Sequence, residues 1–210
     1  MSSLKFYNAD FSPNTLRVRA VIYELALDVE MINVDVFGGG NKSEEFLAIN
    51  PNGKIPALVD GDFVLWESRA INTYLASIKP ERNLYPNDIK QRAAIDQWSY
   101  WQAIHLGPAM QQVAFERVLK TKYGMGESDE KVIEGKVKDI AQFLPILEAN
   151  LIDKEWIAGE LSVVDFAMAS TFMFRDKANI SLANFPKVDA WITRLEARPS
   201  WKKAVAPVIT

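Results

Sequence analysis

Hydrophobic and polar positions change their period along the chain, and the changes divide it. Leu4-Lys5-Phe6-Tyr7 reads as a short strand, followed by a loop over Ala9–Asn14. Leu16, Ala20, Tyr23 and Leu27 recur at helical spacing and predict a helix over Thr15–Leu27. Ile32, Val34 and Val36 alternate with Asn33 and Asp35, the period of a half-buried strand. A glycine-rich loop, Phe37–Lys42, and a short helix, Ser43–Ile49, come next. Ala57-Leu58-Val59 and Phe63-Val64-Leu65 flank Asp60-Gly61, a strong hairpin signal, and Glu67–Ile78 reads as a helix. The order βαβ, helix, hairpin, helix predicts a small mixed sheet with helices on its faces. The crossover after the first strand makes the first two strands parallel.

KPERNLYPND (Lys79–Asp88) has the proline-rich, polar composition of a linker. Beyond it the strand signal disappears. Gln91–Lys120 is a long helical region with a bend expected at Gly107-Pro108. Ile133, Val137, Ile140, Leu144, Leu147 and Leu151 fall on one helix face, and Pro145 within that run predicts a kink. Ser162-Val163-Val164-Asp165 is a capping-box pattern opening a helix through Phe174. A further helix covers Val188–Ala197 and stops near Pro199. The expected organisation is an α/β domain over 1–79, a linker over 80–88 and an all-helical domain over 89–210.

Composition narrows the function. The 210 residues carry a formal charge of −3 and lack the basic patch that nucleic-acid binding needs. No apolar run approaches the ~18 residues of a membrane span. MSSLKFYNAD has neither the basic start nor the apolar core of a secretory signal, so a cytoplasmic protein is expected. With no cysteine and one histidine, disulfides, protein-thiol chemistry and multi-histidine metal sites are excluded.

Several separated segments, in order, resemble the cytosolic glutathione transferases. FSPNTLRVR (Phe11–Arg19) is similar to the catalytic loop and first helix of their serine-type classes. NPNGKIPALVDGD and LWESRAI, within Asn50–Ile71, resemble the glutathione-binding segments. VAFERVLKTKYGMGESDEKV (Val113–Val132) is similar to the mid-helical region of the phi class, and WIAGELSVVDF (Trp156–Phe166) to the capping segment of the helical domain. The resemblance covers nearly the whole chain. It implies a thioredoxin-like N-terminal domain, an all-helical C-terminal domain, a homodimer, and glutathione as co-substrate with no other cofactor.

Glutathione presents two carboxylates, an ammonium and a thiol whose ordinary pKa is roughly 8.5. A site for it must neutralise the ends, align the backbone and favour the thiolate. Ile55-Pro56, cis in the family, would offer the Ile55 backbone to the cysteinyl unit as a minimal strand addition. Taken alone, Pro56 could simply begin a strand. Glu67 would take the γ-glutamyl ammonium, while Ser68 and the helix N-terminus would take its carboxylate. The plainer alternative is ordinary helix capping. Asn41, Lys42 and Lys54 would reach the glycyl carboxylate, although exposed lysines are more often plain solvated charge. Asn41 departs from a phi-class histidine, and Lys54 stands where that class often has glutamine.

Ser12 is the catalytic candidate: its hydroxyl could donate to a thiolate near the N-terminus of the first helix, where thiol pKa values fall to ~3.5–7.5. This is stabilisation of an anion, not proton abstraction. The competing reading is a turn serine before proline. Tyr7 is the rival donor, and Asn14 a third candidate as a helix cap or thiol contact. Phe11, Phe37, Phe115 and Leu119 match or neighbour phi-class positions that face the electrophile, against the alternative of core packing. Trp98, Trp101 and Trp191 are expected in the core, and His105 is expected to be a satisfied structural histidine.

The expected activity is conjugation of the glutathione thiolate to a hydrophobic electrophile, with hydroperoxide reduction open to the same thiolate. The alternatives are a non-catalytic binding or scaffold protein of this fold, and a disulfide reductase that uses glutathione without a protein cysteine.

Overall fold

The computed structural model describes residues 4–209. By its contacts the chain forms two compact units. One runs to Pro86 and includes the chain again from Ala197; the other spans Asn87–Glu196.

The first unit holds a four-stranded sheet of order β2-β1-β3-β4, built from β1 (Leu4–Asn8), β2 (Val29–Asn33), β3 (Ala57–Asp60) and β4 (Phe63–Trp66). β1 and β2 are parallel, pairing Leu4 with Val29 through Asn8 with Asn33. β3 is antiparallel to β1 and to β4. The Asp60-Gly61 hairpin forms as expected, with Gly61 at φ 58°. The second strand lies three residues earlier than its alternation predicts. The parallel ladder ends at Asn33, and the Val34 N–H makes one last bond to the Asn8 carbonyl at 2.8 Å. Asp35 then turns the chain, its side chain accepting from the Gly38 N–H at 2.8 Å and its carbonyl from the Gly40 N–H at 2.7 Å.

Helix α1 (Pro13–Glu24) starts earlier than its apolar spacing suggests, because Pro13 suits the first helical turn. Just beyond its C-cap Leu25, Ala26 takes a left-handed φ of 50°. α1 is buried from Thr15 to Ile22 without interruption, packing on α3 (Ser68–Ile78) and on the last helix, α10 (Pro199–Ile209). That burial takes in Arg17 and Arg19. The short helix α2 (Glu44–Ile49) is capped by Ser43, whose hydroxyl accepts from the Phe46 N–H at 3.2 Å. At the far end of α1, Glu24 binds Arg198 and accepts from the Ser200 hydroxyl at 2.5 Å, tying α1 to α10.

The second unit is helical. α4 (Ile89–Trp101), capped by Asp88, continues into a π-helical stretch, Gln102–Leu106, then α5 (Gly107–Ala114). A second π stretch, Phe115–Leu119, leads into the single turn α6 (Lys120–Lys122). The irregularity near Gly107-Pro108 is thus a π turn. A Cβ on Gly107 would lie 2.5 Å from the Gln102 carbonyl oxygen, so the turn closes on a glycine. α7 (Glu130–Asn150) runs as one helix through Pro145, which is exposed, where the carbonyl it strands can be hydrated. Of its expected apolar face, Val137 is 39% exposed and the rest is buried.

α8 (Val163–Ala169) is shorter than expected and gives way to a 3-10 turn, Ser170–Phe172. α9 (Pro186–Glu196) follows. Around the α8 N-terminus, buried Asp165 accepts from the Ser162 N–H (2.9 Å), the Ser162 hydroxyl (3.2 Å), the Ile157 N–H (3.0 Å) and the Trp191 indole (2.9 Å). The sequence anticipates the box; the links to Ile157 and Trp191 join three segments. Two isolated β-bridges, Trp156 with Gly159 and Ala158 with Glu160, tighten the preceding turn. Trp191 is in the core at 1% exposure. Trp98 and Trp101 are only half-buried, edge to face at 5.1 Å, and correct the core expectation. His105 is exposed and lies against the rings of Trp101 and Phe143.

Candidate functional site

Ser12 sits at the N-cap of α1, buried, with extended backbone angles of φ −91° and ψ 125°. Its carbonyl accepts the N–H of Thr15 (3.2 Å) and Leu16 (3.0 Å), and its own N–H donates to the Ala9 carbonyl at 3.2 Å. The backbone therefore does the capping, and the hydroxyl makes no cap bond. A turn serine usually spends its hydroxyl on the helix; this one keeps it. Thr15 fixes the turn from beneath, its hydroxyl shared between the carbonyls of Ala9 (2.5 Å) and Ser12 (2.9 Å). Asn14 is the second residue of α1, so it is not the cap. Tyr7 lies within β1, half-buried and edge-on to Phe46 at 5.9 Å.

The turn at residues 50–54 is organised by Asn50, which is buried. Its amide donates to the Lys54 carbonyl at 2.5 Å, and its side-chain oxygen accepts from the Asn52 backbone N–H at 3.1 Å and side-chain amide at 3.0 Å. Gly53, at φ 58°, lets another segment approach. Asn41 donates to its carbonyl at 2.7 Å, and a Cβ on Gly53 would lie 2.6 Å from the Lys42 ammonium. Asn41 thus braces this turn, and Lys42 lies over it. Lys42 and Lys54 are both exposed. The Ile55-Pro56 bond is cis, and β3 begins only at Ala57, so Ile55 stands outside the sheet's ladder.

Glu67 is the N-cap of α3 and has φ 71° and ψ 108°, a conformation L-residues rarely adopt. Such outliers cost on the order of 1–3 kcal/mol and concentrate at functional sites. Glu67 is exposed, while Ser68 beside it is 4% exposed. The Arg17 guanidinium, fully buried in α1, donates to the Ser68 hydroxyl at 3.4 Å. Burial pulls the Arg17 pKa well down, with Arg69 adding to this and Glu67 opposing it. The α3 N-terminus thus combines a strained glutamate, a buried hydroxyl and a buried cation. Arg17 is not among the candidate residues that the sequence marks. Its only signal there was an arginine among apolar neighbours, which is also how a solvated helix face looks.

Phe11 and Phe37, from two loops, meet with ring centroids 4.7 Å apart; Phe11 is half-buried and Phe37 is 50% exposed. In the second unit, Phe115 and Leu119 open and close one π stretch, both half-buried. Between them Glu116 anchors the stretch, accepting from the Asp129 N–H at 2.9 Å and the Gln112 amide at 3.1 Å and pairing with Lys120 at 2.6 Å. Among the described residues no group of three or more His, Cys, Asp or Glu side chains could hold a metal ion. Nor is any described helix long and apolar enough to cross a membrane.

Residues 2–77 match the family model of the glutathione S-transferase N-terminal domain, and residues 106–199 that of its C-terminal domain. The chain is 36% identical to glutathione S-transferase 3 of Zea mays over 99% of its length and 96% of the relative's. It is 33% identical to a probable rice glutathione S-transferase, covering 98% of this chain and 97% of that one. Among solved structures, a glutathione S-transferase I bound with lactoylglutathione superposes with a TM-score of 0.89 at 31% identity, covering 98% of this chain and 99% of that one. Glutathione transferase F7 of Populus trichocarpa gives 0.87 at 31% identity, covering 96% and 97%.

Proposed function

The chain belongs to the glutathione S-transferase family, and we propose that it holds glutathione on its first unit with the sulfur at Ser12 and joins the glutathione, through that sulfur, to a hydrophobic electrophile. The observation that carries this reading is the Ser12 hydroxyl, buried at the head of α1 and not used for capping. A thiolate placed there meets a hydroxyl donor and the positive end of a helix, and both favour the anion over the thiol. The thiol proton passes to solvent. The sulfur then forms a bond to the electrophilic carbon, and the leaving group departs with its electron pair. A hydroperoxide would instead give up its terminal oxygen to the sulfur, leaving an alcohol and a sulfenic acid that a second glutathione converts to disulfide.

The remaining residues divide glutathione between them. Ile55, beside the cis bond to Pro56, aligns the cysteinyl backbone; Glu67 takes the ammonium, and Ser68 with the α3 amides takes the γ-glutamyl carboxylate. Lys42 and Lys54 attract the glycyl carboxylate, with Asn41 holding the turn between them. The electrophile is met by the Phe11–Phe37 pair in the first unit and, by itself, by the Phe115–Leu119 stretch in the second. Glutathione is a co-substrate here. The protein is read as cytoplasmic, working without a resident metal, and as a homodimer. Edge strand β4 leaves Phe63 48%, Val64 39% and Trp66 39% exposed. An apolar edge of this kind invites pairing unless a second copy covers it.

Retention on immobilised glutathione, followed by turnover of a generic aryl halide, tests the function. The reading expects both. Retention without turnover of any halide, peroxide or isothiocyanate would instead mark a binding protein.

A further inference from the structure

The loop that carries Ser12 is held by a second buried arginine with no part in the scheme above. Arg19, on α1, is 2% exposed, and its Nη1 donates to Asp10 Oδ1 at 2.6 Å and to Asn8 Oδ1 at 3.0 Å. Its Nη2 reaches the Asp10 carbonyl at 3.3 Å. Asn8 closes the triangle by donating its amide to Asp10 Oδ1 at 3.0 Å. The end of β1, the loop and α1 are thereby locked together two residues before Ser12.

A buried ion pair is weak evidence for stability, since desolvating the charges offsets much of their attraction. Here the cost is plain. Burial lowers the Arg19 pKa despite Asp10 and Tyr23, which both act to raise it. Among the described residues the buried Arg19 Nε also has no hydrogen-bond partner. The carboxylate, by contrast, keeps 41% of its side-chain surface. A half-buried carboxylate two residues before Ser12 would oppose a thiolate held at that serine unless a cation neutralised it.

We propose that Arg19 is a positioning residue for the transfer reaction, fixing the Ser12 loop through Asp10 and cancelling the Asp10 charge that would otherwise disfavour the thiolate. The inference rests on the reading of Ser12 as the thiolate's partner. Asp10 and Arg19 therefore act as one neutral unit, and charge lost from either member alone is felt at the sulfur. Charged and titratable groups facing α1 from the elements packed on it include Glu67 and Arg69, which act on Arg17, and Lys203, over the ring of Tyr23 one turn along the helix from Arg19. They are unchanged in the variants below.

The test follows thiolate absorbance of bound glutathione against pH in the wild type, Ser12→Ala, Asp10→Asn, Arg19→Gln, Arg19→Lys and the Asp10→Asn/Arg19→Gln double variant. A single charge gained or lost beside a partly solvated site shifts a titration on the order of half a pH unit. Arg19→Gln should raise the bound thiol's midpoint, Asp10→Asn should lower it, and the double variant should return near the wild type. Arg19→Lys, which keeps the charge, should titrate almost as the wild type and stands in if Arg19→Gln does not fold. A merely structural role would move both single variants in the same direction, or neither, and would overturn the proposal. If Ser12→Ala shifts the titration while the pair variants do not, the pair is inert and the Ser12 reading stands. If Ser12→Ala leaves the titration unchanged while the pair variants shift it in opposite directions, the pair tunes the field and the Ser12 reading falls.

Discussion

A serine at the head of a helix ordinarily accepts from the helix's own amides, as Ser43 does on α2. Ser12 and Ser68 depart from that habit. Ser12 leaves its hydroxyl out of the cap, and Ser68, the first residue of α3, accepts from the buried Arg17. A hydroxyl supported from behind by a cation suits an incoming carboxylate. Ser68→Ala should therefore weaken glutathione binding by about tenfold, the loss of one charge-assisted bond of ~1.5 kcal/mol. Turnover at saturating glutathione should change much less. Calorimetric titration with glutathione, set beside kcat, checks the pair of effects. Ser12, Glu67 and Ser68 stand out in the sequence as candidates because each belongs to a short pattern with a physical role. Arg17 and Arg19 do not. Periodicity assigns one buried face to a helix, and α1 is buried from Thr15 to Ile22, so its arginines read as surface residues.

Elements were legible where a local rule dominates, as at the Asp60-Gly61 hairpin and the Ser162–Asp165 cap. They were misjudged where a partner decides. The alternation from Ile32 to Val36 continues past the strand because β1 sets the length of the ladder, not the pattern of β2. The π stretches at Gln102–Leu106 and Phe115–Leu119 keep helical hydrophobicity, so spacing alone cannot separate them from an ordinary helix. Two contacts between elements give predictions. Asp165 is fully buried, and burial pushes its carboxyl up to about 6 against the four bonds that favour its ionised form. Asp165→Asn would turn an NH2 group toward two of those donors, so it should lower unfolding stability by ~2–4 kcal/mol in chemical denaturation.

Glu24 shows the opposite shift. Although burial pushes it up, bonds from Arg198 and Ser200 hold its carboxyl below the usual range. Its contribution is present above the unfolded pKa of ~4.3 and is lost as pH falls through the lower folded value. Cooling of the melting temperature with acid below pH ~4.5 should thus be steeper in the wild type than in Glu24→Gln, as thermal unfolding across pH will show.

At the scale of the whole molecule, the order of elements sufficed to anticipate a small mixed sheet followed by helices, the family resemblance made that sheet thioredoxin-like, and the family's domain models and solved relatives agree. The periodicity of residues 199–209 gives no sign of which unit they join. They return to the first, packing on α1 and tied to it where Glu24 accepts from Arg198, 174 positions later. The candidate site likewise draws on distant segments: the α1 head, the turn at residues 50–54 and the α3 head all belong to the first unit. What it does with glutathione turns on the sulfur's ionisation. The most direct measurement is the pH titration of thiolate absorbance for glutathione bound to the wild type and to Ser12→Ala. The wild-type midpoint should lie well below the free thiol's ~8.5 and move back toward it in the variant as kcat falls. Coincident titration curves for the two proteins would contradict this.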